Sequence, residues 1–218
     1  MNKVLMIFAT LTLFASQSNA QVVDCEDCNK TDFRSDLMFG VKGGLNLSNV
    51  YDSKGDVFNA EAKLGIAAGG FLSIPLGKFV GIQPELLLSQ KGFRATGLLF
   101  NSQYSFTRTT TYLDIPVLFA FKPSEFITVL AGPQYSYLIN QKDVFGSPFN
   151  TIEQITAFKN DNLRKNTVCL TFGADITLKR VVIGARAGWD VQNNNGNGIS
   201  TTPRYKNAWY QLTAGFRF

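Results

Sequence analysis

One pattern constrains this chain more than any other: in eight runs between residue 37 and the last residue, apolar side chains recur at every second position. The closing stretch "AWYQLTAGFRF" alternates Tyr210, Leu212, Ala214, Phe216 and Phe218 with Gln211, Thr213, Gly215 and Arg217. A period of two belongs to the β-strand, whose side chains point to opposite faces in turn. Seven earlier runs repeat it, beginning with "DLMFGVKGGLNLSN" and "AKLGIAAGGFLSI" and continuing through "FVGIQPELLLSQK" and "TTTYLDIPVLFAF". The remaining three are "FITVLAGPQYSYLI", "TVCLTFGADITL" and "VVIGARAGWDVQ". No segment keeps a helical period over four turns, so the fold class is all-β.

The connections alternate in length. Pro75 to Lys78, Lys122 to Glu125 and Lys179–Arg180 read as tight turns, whereas Tyr51 to Glu61, Phe93 to Gln103, Asn140 to Lys165 and Gln192 to Lys206 read as long loops. Eight antiparallel strands with tight turns at one end and long loops at the other give an up-and-down transmembrane β-barrel, with short periplasmic turns and long extracellular loops.

Alternation alone does not say which face is inside. Three features put the apolar face outward. The polar face is rich in Gly and other small residues, which suits a narrow interior. Its charges carry both signs: Lys42, Lys63, Glu85, Lys91, Arg108, Asp114, Asp175, Arg186, Asp190 and Arg217. Aromatic residues gather near strand ends, as interfacial girdles do. Phe79, Phe121, Phe126, Phe216 and Phe218 fall at the turn end, and Tyr135, Tyr137, Trp189 and Tyr210 toward the loop end. In lipid no strand edge stays unpaired, so the last strand is expected to close on the first. A terminal aromatic on such a strand, Phe218 with Phe216, also resembles the signal read by barrel-insertion machinery. Thr213 stands where that signal's usual glycine is expected, and Gly215 lies two residues on.

The first twenty residues, "MNKVLMIFATLTLFASQSNA", carry a basic start, an apolar centre and a small polar end, the pattern of a cleaved secretory signal. The expected organisation is a signal peptide over residues 1–20, a periplasmic lead-in over 21–36 and the barrel over 37–218. Losing Lys3 lowers the net charge from +5 to +4. That excess is scattered, so nucleic acid is not an expected partner. Cys25 and Cys28 follow the cleavage site as Cys-x-x-Cys, and a local disulfide is favoured over free thiols in an oxidising compartment. With no histidine in the chain, two cysteines do not complete a zinc site. No cofactor and no metal are expected.

At this point "FGVKGGLNLSN", "LDIPVLFAFKP" and "VLAGPQYSYLI" resemble the PorT-like outer-membrane β-barrel family of Bacteroidetes, with the eight-stranded architecture of the OmpX and OmpA barrels. The resemblance implies an outer-membrane location in a Gram-negative bacterium. The family's namesake is linked to protein secretion, which is not carried over to this chain.

The absence of histidine excludes the catalytic sets of acyltransferase and omptin-like barrels and of serine–histidine lipases. Glu85, Asp114, Asp175 and Asp190 remain as candidate acids and bases. The competing reading pairs them with lumen cations, since an eight-stranded barrel is just wide enough for its own side chains. The expected lumen network is therefore structural: Lys42, Lys63, Glu85, Arg108, Asp114, Asp175, Arg186, Asp190 and Arg217. The Gly/Asn loop "QNNNGNGIS" lacks a carboxylate and does not suit calcium. Phe145, Phe149, Ile152, Ile155 and Phe158 suit the long Asn140–Lys165 loop either to cover the barrel mouth or to contact a protein partner. The leading expectation is a plugged structural or interaction barrel that is not an enzyme. A narrow or gated pore is the alternative, and an accessory barrel of a secretion system ranks third. The expected partners are outer-membrane lipid, the insertion machinery and a protein at the extracellular loops.

Overall fold

The computed structural model describes residues 32–52, 60–99, 102–146, 151–156, 164–194 and 205–218. The expected signal peptide, Cys25 and Cys28, and most of the lead-in lie outside them. Nine strands follow in chain order: β1 (Met38–Asp52), β2 (Ala60–Pro75), β3 (Val80–Leu99), β4 (Ser102–Phe121), β5 (Ile127–Gly146), β6 (Thr151–Thr156), β7 (Asn166–Leu178), β8 (Val181–Asp190) and β9 (Tyr205–Arg217). Eight of them form a closed antiparallel barrel in the order β4-β3-β2-β1-β9-β8-β7-β5, sealed by the β4–β5 pairing. Strand β6 stands outside that ring and pairs with the upper part of β5.

Closure runs between the two ends of the chain. β1 and β9 pair from Gly40↔Arg217 to Asp52↔Tyr205. Beyond the ladder, the Phe218 amide donates to the Phe39 carbonyl at 2.7 Å, and the two rings stack at 5.2 Å. The terminal aromatic thus belongs to the seam, and no strand edge is left there to face hydrocarbon.

The lipid-facing residues trace a band. Its lower edge carries Phe39, Phe79, Phe121, Phe126, Phe216 and Phe218, and its upper edge Leu47, Leu64, Leu88, Tyr135, Trp189 and Tyr210, all exposed. Above the band the pattern inverts. Outward positions on β4 turn from Val117 and Ile115 to Thr111, Thr109, Thr107 and Ser105, while inward positions on neighbouring strands become apolar. Val50, Phe93, Ala95 and Tyr205 form a buried cluster there, with Ala60 and Phe106 packed against it. Below, the wall is built for lipid; above, it is built as a water-soluble barrel. Accordingly, Val117→Arg should lower the unfolding free energy of the refolded barrel by about 2–4 kcal/mol, whereas Thr107→Arg, on the same face of the same strand, should cost roughly 0–1 kcal/mol. Equal urea midpoints for the two variants would misplace the membrane boundary.

This inversion accounts for the main departures from expectation. The Phe93–Gln103 segment is not a long loop: β3 and β4 continue through it, paired as far as Leu99↔Ser102. The Asn140–Lys165 segment opens with the end of β5 and contains β6, so it is partly a hairpin. Phe149 and Phe158 lie outside the described residues. One extra residue in β5 marks the change, because Thr111 pairs with Asn140 and Tyr112 with Leu138. Such a bulge flips the strand's face assignment. Below it Gln134 and Ser136 point inward; above it Gln141 is buried and Asp143 reaches Arg108.

Candidate functional site: a layered lumen

The inward side chains form three successive layers. In the lower layer Lys42 on β1 meets Glu85 on β3 at 2.5 Å. Arg186 on β8 lies 3.5 Å from Glu85 and grips Asp175 on β7 through two hydrogen bonds of 2.6 and 2.9 Å. The Gln83 amide donates to Glu85 at 2.8 Å and to Asp175 at 3.4 Å. Two cations thus face two carboxylates. Beside them, on β4 and β5, Leu118, Ala120 and Leu130 form a fully buried apolar cluster.

The Arg186–Asp175 fork depends on glycine. The ladder sets Arg186 opposite Gly173 and Asp175 opposite Gly184, so the two charges meet on a diagonal, not face to face. A Cβ at Gly184 would come within 2.4 Å of the Asp175 carboxylate, and one at Gly173 within 2.8 Å of the Arg186 Cδ. The small residues on the polar face therefore make room for their charged neighbours.

In the middle layer Lys91 on β3 donates to one carboxylate oxygen of Asp114 on β4 at 3.2 Å and lies 3.0 Å from the other. Its ammonium lies over the Tyr112 ring at 5.0 Å and the Trp209 ring at 4.9 Å. Asp114 also accepts from the Ser136 hydroxyl at 2.5 Å. The Cys169 thiol donates to Asp190 at 3.0 Å, and Asn207 donates to the other Asp190 oxygen through its backbone and side-chain N–H groups, at 3.1 and 2.7 Å. Neutral polar groups fill the gaps: Gln211 donates to Asn46 at 2.8 Å, Asn46 to Ser89 at 2.9 Å, and Thr171 to Gln134 at 3.0 Å.

In the upper layer Arg108 makes a two-point bond to Asp143 at 2.8 and 2.9 Å and donates to the Tyr205 hydroxyl at 2.8 Å. The Gln141 amide donates to Asp143 at 2.7 Å. The guanidinium lies 5.3 Å from the Phe106 ring centre.

Of the nine residues expected in the lumen network, seven occupy these layers: Lys42, Glu85, Arg108, Asp114, Asp175, Arg186 and Asp190. Two stand apart. Lys63 is half-buried toward the upper rim. Arg217 sits at the turn end, where its Nε donates to the Lys179 carbonyl at 2.9 Å and its guanidinium lies 5.1 Å from the Phe33 ring. Phe216 and Phe218 face lipid at the same end. Asp143 and Gln141 were hidden from the pattern by the β5 bulge. Lys91, Cys169 and Trp209 have the alternation phase of Glu85, Asp175 and Gln211, and that phase alone places them inside. The interior is also bulkier than a small-residue face suggests: Phe71, Leu87, Tyr112, Leu118, Leu130 and Trp209 are all buried there. Among the described residues no group of three or more Cys, Asp or Glu side chains is arranged to hold a metal ion.

The profile of the outer membrane protein β-barrel domain matches residues 15–200. A search of curated proteins finds no match. Among solved structures, the chain is similar to Ail, the attachment invasion locus protein of Yersinia pestis, with 13% identity over 84% of this chain and 99% of that one, at a TM-score of 0.46. It is also similar to Neisserial surface protein A, with 10% identity over 82% and 95% of the two chains at a TM-score of 0.44. OprG of Pseudomonas aeruginosa shows 12% identity over 84% and 96%, at a TM-score of 0.34. A closed eight-stranded ring with a lipid-facing apolar band places the protein in the outer membrane of a Gram-negative bacterium, and the chain belongs to the outer membrane protein β-barrel domain family.

Proposed function

We propose that this barrel is closed to solute flow and acts as a structural and interaction protein through the part that rises above the bilayer. The observation carrying the first half is the layered lumen: Lys91, Asp114, Gln134, Asp190 and Asn46 are each no more than 2% exposed, at the level where a pore would need water. Each of Glu85, Asp114, Asp175 and Asp190 is occupied by lumen donors, which presents none of them to a substrate.

The second half rests on strand length. At about 3.3 Å per residue and a tilt near 40°, the ten residues of β8 rise roughly 25 Å, which matches the apolar band of such barrels. The twenty residues each of β3, β4 and β5 rise about twice as far. Their upper halves, with β6 added on one side, form a sheet that projects from the surface. Among the described residues the outer edge of β6 pairs with no strand, and an edge of that kind takes an added strand from a partner.

Planar-bilayer recording of the refolded barrel tests the closed lumen. The expected result is a quiet baseline without unitary steps. Reproducible steps from the wild-type barrel would replace this reading with a narrow pore. Crosslinking from native outer membranes, with and without residues 147–156, tests whether the β5–β6 hairpin is the contact surface.

A further inference from the structure

The turn end of the barrel holds a pocket that backs onto the lower lumen layer at Gln83 and Asp175. It has a volume of about 30 Å³ and is lined by Phe33, Arg34, Ser73, Lys122, Arg217 and, at its inner side, Asp175, together with further polar and apolar residues of the barrel mouth. At about 10–15 Å³ of such space per water, that is room for two or three waters or a group of about carboxylate size.

Two of its cations, the buried Lys122 and the half-exposed Arg217, are unusual in what they touch. Lys122, in the turn after β4, is 6% exposed. Its ammonium donates to the Ser73 hydroxyl and the Arg34 carbonyl, both at 3.2 Å and both neutral. Arg217 spends its Nε on the neutral Lys179 carbonyl, which leaves the two terminal nitrogens of the fork without a hydrogen bond among the described residues. Neither cation has a carboxylate within ion-pairing distance among those residues. Burial and the nearby Arg217 together push the Lys122 ammonium below its ordinary range, against the opposing pull of Asp36. Asp36 acts on Arg217 as well. For the buried Lys122, whose hydrogen-bond partners are both neutral, desolvation is costly, and an entering anion offsets that cost.

We propose that this pocket binds a single oxyanion between the Lys122 ammonium and the open fork of Arg217: the free carboxylate of a periplasmic chain end, or a phosphate. The geometry suits a group of low charge. Glu125 and Asp175 also line the pocket, so a bulky polyanion would meet carboxylates there; the Arg186 pairing of Asp175 leaves a single small oxyanion tolerable. A planar fork beside an ammonium matches two oxygens on one centre. Phe33, Phe71 and Val182 supply an apolar wall for whatever the oxyanion is attached to.

The test is a titration of the refolded full-length barrel, followed by NMR or calorimetry, with N-acetyl-alanyl-alanine, its C-terminal amide and inorganic phosphate. The acid is expected to bind and the amide to bind at least about tenfold more weakly, the usual scale for one charge-assisted contact. Lys122→Met and Arg217→Gln are each expected to weaken acid binding about tenfold, and Lys122→Arg to retain most of it. Lys78→Gln, an exposed change at the same end, should leave it unchanged. Heat-modifiable gel mobility confirms that each variant is folded. Binding of phosphate alone, lost in the same two variants, would assign the site to phosphate over chain ends. Equal binding of acid and amide, or acid binding indifferent to both variants, would overturn the proposal; so would the absence of binding by both anions.

Discussion

Replacing Arg186 with Met is expected to destabilise the refolded barrel by about 3–5 kcal/mol, among the largest effects of any single change in this chain. Arg186 holds two carboxylates at once, Asp175 through a two-point bond and Glu85 at 3.5 Å. Met fills a similar volume but supplies no charge. The two acids are not left equally exposed to this loss. Glu85 keeps Lys42 and the Gln83 amide, whereas Asp175 keeps only the long 3.4 Å contact from Gln83. Adding Asp175→Asn should therefore recover part of the loss, and adding Glu85→Gln should recover less, because it strands Lys42 in turn. Urea midpoints in detergent for the four-member cycle measure this directly. Strict additivity of Arg186→Met and Asp175→Asn would mean that the two groups are solvated independently. The closed-lumen reading would then fail with them.

Lys91→Met is the second large effect, again about 3–5 kcal/mol. The middle layer holds two carboxylates, Asp114 and Asp190, and Lys91 is its ammonium. Without it Asp114 depends on the Ser136 hydroxyl alone, and the Tyr112 and Trp209 rings lose a cation worth about 0.5–2 kcal/mol to each. Asp190 is better provided for, because a thiol and two N–H groups donate to it. The expected order of rescue follows: Asp114→Asn on the Lys91→Met background recovers stability, and Asp190→Asn recovers little. A Lys91→Met barrel within about 1 kcal/mol of wild type would show that this layer is wet, since a solvated ion pair is worth no more than that.

The ring of eight strands was legible because lipid imposes a simple rule. Each strand that crosses the bilayer presents an apolar residue at every second position, and Leu212, Phe172 and Ile66 needed no tertiary information to be placed outside. The inner charges followed from the same parity. What was not legible begins where lipid ends. Above Lys91 the inward face of β3 carries Phe93 and Ala95 and its outward face Arg94 and Thr96, so the alternation persists with its sense reversed, while the outward face of β4 turns to Ser and Thr. A search for apolar outward faces takes such a segment for a loop. The β5 bulge hid Asp143 for a related reason: one inserted residue moves every later side chain to the other face, and "YLINQKD" carries no local mark of it. The diagonal pairing of Arg186 with Asp175 was likewise a matter of register. It was set by a two-residue turn at Lys179 and Arg180 and by the space that Gly173 and Gly184 leave open.

The reversal at the bilayer surface also fixes the barrel's height in the membrane. A cylinder with a uniformly apolar wall would slide along its axis at little cost. Here a downward slip of one turn of the wall would carry Thr111, Thr109 and Arg94 into hydrocarbon, and an upward slip would lift Phe121 and Phe216 into water. The same reversal is expected to make insertion one-way. The hydroxyl-faced hairpins cross the hydrocarbon once, at the cost of shedding their water, and on the far side they rehydrate and close over Phe93, Phe106 and Tyr205. From then on they act as a barb: withdrawal requires opening that small core and stripping the same hydroxyls a second time.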